Sequence, residues 1–575
     1  MNVLGKVRSK SLFTKPSRLV FSNNYSQPKM VKRLVKNTVE LNETEKKIKN
    51  LLVSFCDEYN QQVKPEDRLE LRITGGWVRD KLLGKESNDL DIAINLLSGQ
   101  DFASKLLEYS QQKGMDLGKN ATSLHTIKKN PEKSKHLETC TTKLFGLDID
   151  FVNLRNEQYT EDSRVPVIEC GTAEEDALRR DATLNALFYN LNKSEIEDFT
   201  GKGLADLENG ILRTPLQPLS TFVDDPLRVL RLIRFACRFN FQIESSTLES
   251  MKDEKIKTAL IHKISRERVG VEMDKILTSD NVPYGLRLLN HLGLTDTVFR
   301  VGDLAEVIND INDSATIERL EEAKEALKLK VDQATQSWDS FIEVMASHPD
   351  LELSKVMKRL FSSKHGQKLF WLCAILHPFG GIQVKTNPKK ASYSSYVELI
   401  IKEGLRFGKA DYDSTSLVLD KMYTNDTLSQ FFASPANLSR ADLGMYIRLF
   451  GDYFDLNIVA NSFHDILSSC SLPDCTEEVP THETRNGEIN PQILESTFNR
   501  YQTLVMAINK YGLENVKTLK PIVDGKVISK ALQRKPGPWM SKITSEVMKW
   551  QLNHPEGTQD ECILHIREFL RDESP

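Results

Sequence analysis

No apolar run in these 575 residues approaches the length a helix needs to cross a bilayer. Cysteine is scarce: eight are scattered along the chain, which excludes a disulfide framework. Cys237 in "RFACRF" and Cys373 in "WLCAIL" sit in apolar runs and read as buried free thiols. Cys470 and Cys475 have only His482 nearby, which falls short of the four ligands of a structural zinc site. There is no excess of positive charge either. A net charge of −4 gives no global reason to bind nucleic acid, so any such surface must be local.

Acidic residues are missing from the first 39 positions, which hold nine Lys or Arg before Glu40. A basic, serine-containing, acid-free leader has the composition of a mitochondrial targeting segment. Met30 offers a second start, and beginning there takes the net charge from −4 to −10. The expectation is a mitochondrial form and a shorter cytoplasmic or nuclear form.

What the chain does contain is an α+β pattern followed by helices. A capped amphipathic helix is expected from Thr44 through "EKKIKNLLVSFCDEY". Short strands follow in "LELRIT", "LDIAI", "GLDIDFVNL" and "SEIEDF", with a long polar segment at about residues 111–145. Strands and helices do not alternate as in a doubly wound sheet. From Asp224 onward nearly everything reads as helix, with loops around 376–392 and 472–490.

The chemistry gathers in "LRITGGWVRDKLLGKESNDLDIAI". Gly75 and Gly76 lie between a strand and a helix, where backbone N–H groups can approach an anion. No G-K-[ST] follows them, so this is not a Walker loop. Asp89 and Asp91 occupy alternate positions of a strand, on one side and roughly 7 Å apart. Asp148 and Asp150 repeat the pattern in "LDIDFVNLR". If the two strands are neighbours, carboxylates converge beside a phosphate-binding turn. Such a cluster suits two Mg²⁺ ions, which prefer oxygen ligands and at about 3.5–4 Å apart activate a hydroxyl and stabilise a leaving pyrophosphate.

"GGWVRDKLLG…DLDIAI" resembles the head signature of the class II tRNA nucleotidyltransferases, the CCA-adding enzymes of the DNA polymerase β-like superfamily. The resemblance implies that Asp89, Asp91 and, as the third carboxylate, Asp150 are catalytic and hold the metals. Arg79 and Asp80 match the Arg-Asp that closes the glycine turn. "RRDATLNAL" is the next matching block, led by a helix that Thr172 and Glu175 cap as T-x-x-E. Arg179 and Arg180 are candidates for triphosphate oxygens, and Asp181 for a hydroxyl; the family assigns this block to the ribose. "EDFTGKGLADLENGILRTP" resembles the hinge block, with Gly201, Gly203 and Asp206 near the head–neck joint.

"DDPLRVLRLIRFACRF" carries the base choice. Pro226 suits a helix's first turn, and Asp225 and Arg228, three apart, are expected on one face. A carboxylate only accepts hydrogen bonds and a guanidinium only donates. Cytosine and adenine each present an amino donor beside a ring-nitrogen acceptor, and so fit the pair. Uracil and guanine present the opposite pattern and are rejected twice, which is how a polar site discriminates strongly. Asp224 stands where the family has Glu, and Arg231 joins the nucleotide-binding candidates. "SRERVGVEMDKIL" matches the family's last block and is expected to brace the template helix.

In the tail, "QRKPGPWMSKI" places Lys535, Gly537 and Lys542 around a turn between helices, suited to the phosphates of an RNA duplex read by shape. "SFHDIL" offers His464 and Asp465 without evident partners for a metal-dependent phosphohydrolase. The expected division is leader 1–39, catalytic head 40–215, neck with base template 216–290, helical body 291–490 and tRNA-binding tail 491–575. The fold class is α+β, a mixed-sheet head followed by an all-helical neck, body and tail. The expected activity is untemplated addition of C, C and A to the tRNA 3′ end from CTP and ATP. Its partner is the acceptor stem and 3′ end of tRNA, with no obligate protein partner. Alternatives are an A-only or CC-only enzyme, a poly(A) polymerase of the bacterial type, or a tRNA-binding protein with a vestigial site.

Overall fold

The computed structural model describes residue 36 and residues 38–117, 125–127, 139–160, 163–434, 439–469, 479–481 and 489–572. Most of the basic leader, Met30, most of 118–138, and Cys470, Cys475 and His482 lie outside the described residues. The first helix, α1 (Glu43–Gln61), starts one residue before the expected Thr44 because Asn42 and Glu45 form its capping box.

The described strands are β1 (Leu71–Thr74), β2 (Leu90–Ile94), β3 (His125–Ile127), β4 (Thr139–Leu144), β5 (Leu147–Asn153), β6 (Arg155–Thr160), β7 (Ser163–Cys170), β8 (Phe188–Asn190) and β9 (Glu195–Glu197). Seven of them form one sheet in the order β3-β4-β5-β2-β1-β8-β9. It is mixed: β2 and β5 run parallel, while β1 pairs antiparallel with both β2 and β8. β6 and β7 form a separate antiparallel ladder.

The period-two alternation of β2 and β5 explains where the acids go. Leu90, Ile92 and Ile94 alternate with Asp91 and Ala93, and Ile149 and Phe151 with Asp150 and Val152. The apolar set is buried on one face, where Phe102 of α3 (Gly99–Gln112) packs its ring 4.9 Å from Phe151 and 5.3 Å from Phe55 of α1. Burying each such side chain is worth about 1.5–3 kcal/mol. The other face carries the carboxylates and lines a cleft.

Between β1 and β2 lies α2 (Gly76–Leu82), and after β7 come α4 (Ala173–Leu178), α5 (Gly203–Asn209), α6 (Pro218–Asp224), α7 (Leu227–Phe239), α8 (Ser245–Ser250), α9 (Glu254–His262) and α10 (Arg266–Leu277), with further helices beyond. The remainder is mostly rather than wholly helical. Ile211–Leu212 pairs in parallel with Gln242–Ile243, and Gln383–Lys385 forms a small antiparallel ladder with Tyr393–Ser395 in the expected loop. Aromatic rings of Trp338, Phe341, Phe370 and Phe463 gather in the middle of the later helices.

Residues from Val523 to Ile566 keep a small core of their own around Ile543, Val547 and Trp550. This part docks through Asn553, which accepts from the Ala441 N–H at 2.9 Å, and the segment leading into it is held by Arg448, which donates to the carbonyls of Val516 and Leu519 at 2.7 Å. Cys237 and Cys373 are buried free thiols. Among the described residues no helix is long and apolar enough to cross a membrane.

Candidate active site

Asp91 and Asp150 are register partners across the parallel β2–β5 pair, so their side chains stand next to each other on the cleft face. Gly75, with φ +78° and ψ −145°, turns the chain from β1 into α2 through a conformation open essentially to glycine alone. A Cβ there would lie 3.8 Å from the Asp91 carboxylate and 3.6 Å from the Arg180 guanidinium. Burial, then the like charges of Asp89 and Asp150, push the Asp91 carboxyl up to about 6.

Asp89 precedes the first paired residue of β2 and is exposed at the rim rather than in the cleft lining. Asp148 is exposed too and pairs with Lys143 at 3.3 Å, away from the cleft. Among the described residues no three His, Cys, Asp or Glu side chains form a group that could hold a metal ion unaided. Of the three carboxylates expected to hold metal, Asp91 and Asp150 line the cleft and Asp89 stands exposed outside its lining. Asp91 and Asp150 nevertheless suit Mg²⁺, which is commonly bound by one or two carboxylates completed by substrate phosphates. Two crowded acids, one with its carboxyl pushed up to about 6, are relieved by a cation.

The opposite wall is basic. Asp176 at the end of α4's first turn is buried, and its two oxygens split two arginines. Oδ1 accepts from Arg179 Nε at 3.0 Å and Nη2 at 2.5 Å, and from the Arg155 backbone N–H at 3.2 Å. Oδ2 accepts from Arg180 Nε at 3.1 Å and Nη2 at 2.6 Å. Burial works against the charge, but the guanidinium groups of Arg180 and Arg179 hold the Asp176 carboxyl down at about 2. Arg180 also donates to Thr74 Oγ1 at 2.6 Å and to the Asn185 carbonyl at 3.2 Å. The cleft between these walls, about 290 Å³, has Asp91, Asp150, Arg155, Asp176, Arg179 and Arg180 in its lining. The expected capping box of Thr172 and Glu175 starts α4 and so sets this wall.

Arg79 does not reach the cleft. It is buried, bonded to Asp80 Oδ1 at 2.8 Å and Asn185 Oδ1 at 2.5 Å, with its guanidinium 4.6 Å over the ring of Phe239. Arg79, matched in the sequence to the nucleotide-binding glycine turn, stands here as a strut between that turn and α7. Gly76 sits under it, where a Cβ would come 3.0 Å from Arg79 Nη2. Asn185 passes the connection on by donating to Asp181 Oδ1 at 2.9 Å, and Asp181 Oδ2 accepts from Arg231 Nε of α7 at 2.6 Å. Burial opposes the Asp181 charge, and Arg231 with Asn185 overcomes it, holding the carboxyl well below the usual range.

Asp225 is not on α7. The proline after it forces extended backbone, φ −135° and ψ 97°, and the helix begins at Leu227. Its Oδ1 accepts from the Leu227 N–H at 3.2 Å, capping α7. Its Oδ2 accepts from Arg268 Nη2 of α10 at 3.0 Å, an ion pair between the start of α7 and α10. Arg228 is buried and directs Nη1 at the Thr221 carbonyl, 3.4 Å away. Glu272, one turn after Arg268, accepts from Arg234 of α7 at 2.6 Å, which is the bracing expected of this block. Asp206 of the hinge block is buried and accepts from Thr183 Oγ1 at 2.6 Å and Arg213 Nε at 3.0 Å.

Lys535 and Lys542 are exposed around the turn into the helix Trp539–Asn553, and Trp539 Nε1 donates to the Lys535 carbonyl at 3.0 Å. His464 does have a neighbouring histidine, His377, but the rings are stacked with centroids 3.4 Å apart. Stacked rings do not aim their nitrogens at a shared ion, and Asp465 is taken by Tyr501 at 2.9 Å and Arg500 at 2.6 Å. The sequence reading missed Asp176, Asn185 and Thr74. Asp176 was visible as an acid three and four residues before two arginines; Thr74 and Asn185 carried no local signal.

Two family descriptions match the chain: "Poly A polymerase head domain" over residues 71–213 and "Probable RNA and SrmB- binding site of polymerase A" over residues 240–304. The chain is 44% identical over 538 residues to the mitochondrial CCA tRNA nucleotidyltransferase of Saccharomyces cerevisiae, covering 92% of this chain and 94% of that one. It is 40% identical over 539 residues to the Candida glabrata protein of the same name, covering 92% and 96%. Among solved structures, the Thermotoga maritima CCA-adding enzyme complexed with tRNA is similar in fold, with a TM-score of 0.52 at 18% identity over 92% of this chain and 96% of that one.

Proposed function

The chain belongs to the CCA tRNA nucleotidyltransferase family, and from that premise we propose how its residues carry the reaction. The enzyme adds C, C and A to the 3′ end of tRNA from CTP and ATP, releasing pyrophosphate and using no nucleic-acid template. The tRNA 3′ hydroxyl attacks the α-phosphorus of the incoming nucleotide. A new P–O bond forms as the bond from that phosphorus to the oxygen bridging to the β-phosphate breaks; pyrophosphate carries away the electron pair, and the hydroxyl proton passes to solvent.

Asp91 and Asp150, joined from the rim by Asp89, would hold two Mg²⁺ ions. Bound there, the metal would supply activation of the attacking hydroxyl and neutralisation of the leaving pyrophosphate. Arg179 and Arg180 take the triphosphate oxygens, pre-oriented by Asp176 so that no side-chain ordering is left to the reaction. Asp181, fixed by Asn185 and Arg231, accepts from the ribose hydroxyl. Asp225 and Arg228 read the base, and Lys535, Gly537 and Lys542 hold the tRNA. The division into head 40–215, neck 216–290, body 291–490 and tail 491–575 follows these roles.

The observation that supports the reading best is the Asp91–Asp150 register facing the Asp176-held arginines across one cleft. Purified protein, tRNA lacking CCA, Mg²⁺, and CTP or ATP singly and together test it, with product length read on a gel. Two added nucleotides with CTP and three with both are expected. Addition of A alone, a long A tail or no product would overturn it.

A mitochondrial location is supported by the names of the two yeast relatives. We further propose a shorter cytoplasmic or nuclear form beginning at Met30. A reporter fused to residues 1–30 should enter mitochondria; a diffuse cytosolic signal would refute the targeting role.

A further inference from the structure

α10 has two working faces. Arg268 and Glu272, one turn apart, hold Asp225 and Arg234 of the base-reading region. Two residues along a helix turn it by about 200°. Arg266, Gly270 and Asp274 therefore form a stripe on the opposite side, and every member of it touches the later helices. Arg266 Nε donates to the Gly404 carbonyl at 2.6 Å and Nη1 to the Thr297 carbonyl at 3.1 Å, while Nη2 donates to the Val298 carbonyl. Asp274 accepts from Lys368 Nζ at 2.8 Å, and Lys368 is fixed from its other side by Asp411.

Gly270 is the tightest point. A Cβ there would lie 1.8 Å from the Leu405 carbonyl oxygen and 2.9 Å from its carbon. Both are backbone atoms, so no side chain can swing away. Leu405 directly follows a π-helical turn, Ile400–Gly404, and a Cβ on Gly404 would itself lie 1.9 Å from the Arg300 carbonyl oxygen. Three chain segments thus meet backbone to backbone around Arg266, and α10 is wedged between that junction and the residues that read the base.

We infer that Arg266, Gly270 and Asp274 are positioning residues for base selection, setting through α10 where Arg268 and Glu272 hold the template. The inference rests on Asp225 and Arg228 being the base readers. Its distinctive consequence is that a lesion on the body-facing side, touching neither nucleotide nor template, changes which nucleotide is accepted.

Gly270→Ala tests it directly, because α10 or Leu405 must give by about 1.2 Å to restore a 3.0 Å contact. The readout is kcat/KM for CTP, ATP, UTP and GTP separately, on tRNA lacking CCA, with the full-length protein. Misplacement of this size costs about a hundredfold where geometry matters, so C-over-U discrimination should fall by about that factor. Arg266→Lys, which keeps the charge and loses the fork, should lose discrimination in the same direction. Gly380→Ala is the matched control: its Cβ would lie 2.5 Å from the Tyr423 ring, and it should keep wild-type discrimination.

If Gly270→Ala does not fold, Arg266→Lys carries the same decision. Asp225→Ala separates the two levels of the argument. Lost discrimination in Asp225→Ala with wild-type discrimination in both Gly270→Ala and Arg266→Lys overturns the positioning role alone. Wild-type discrimination in Asp225→Ala overturns the template reading beneath it. Equal loss in Gly380→Ala and Gly270→Ala assigns the effect to general loosening and overturns the inference.

Discussion

Asp91 and Asp176 line the same cleft and are in opposite electrostatic states. Asp91 is crowded by other carboxylates and its carboxyl is pushed up to about 6; Asp176 is gripped by two guanidinium groups and held at about 2. Charge on the sheet wall is therefore a cost to the folded protein. Charge on the arginine wall is part of the scaffold and already satisfied. The first wall holds crowded like charge, and the second holds charge already paired.

Removing the unsatisfied charge should damage chemistry most. Asp91→Ala should lower nucleotide transfer by more than about a thousandfold, several kcal/mol of transition-state stabilisation, while circular dichroism stays native. Retained activity would break the comparison at its base. Asp225→Ala and Arg228→Ala come next. Each should erase discrimination against UTP and GTP by about a hundredfold or more, measured as kcat/KM ratios, since a buried polar reader left unmatched is what excludes the wrong base.

Asp176→Asn should raise the KM for CTP and ATP more than it lowers kcat, because it releases the arginines rather than the reacting atoms. It should also cost on the order of 2 kcal/mol of stability at neutral pH. The sign follows from a folded pKa below the unfolded one. This stability is present above the ordinary carboxylate value near 3.8 and is lost as pH falls toward about 2. Denaturation of the two proteins across that range checks it; a pH-independent difference would contradict it.

The last effect touches stability alone and has the opposite sign. Without metal, Asp91→Asn should be more stable than the parent by on the order of 3 kcal/mol at neutral pH. Here the folded pKa lies above the unfolded 3.8, so the parent loses stability as pH rises from 3.8 through about 6. The variant's gain should vanish below that window. Added Mg²⁺ should stabilise the parent and not the variant.

Much of this site was legible because its signals are local. The alternation in "LDIAI" and "LDIDF" put Asp91 and Asp150 on one strand face, and the T-x-x-E box before "RRDATLNAL" fixed where the arginines start. What failed was anything that depended on a distant partner or an exact helix boundary. Asp225 was assigned to a helix face, but the proline rule that starts α7 also expels the residue before it. Its ion pair with Arg268, 43 positions away, leaves no local trace. Arg79 was placed at the nucleotide because it matches the family's Arg-Asp that closes the glycine turn. Only the tertiary packing of Phe239 beneath it shows a strut. Strands β4 and β8 were missed because their neighbours, not their own patterns, complete them.

The measurement closest to the central claim is a crystal structure of the enzyme with CTP and Mg²⁺. The account predicts the cytosine amino group donating to the Asp225 carboxylate and its N3 and O2 accepting from Arg228, with the triphosphate between Asp91 and Arg180. A cytosine edge touching neither Asp225 nor Arg228 would contradict it.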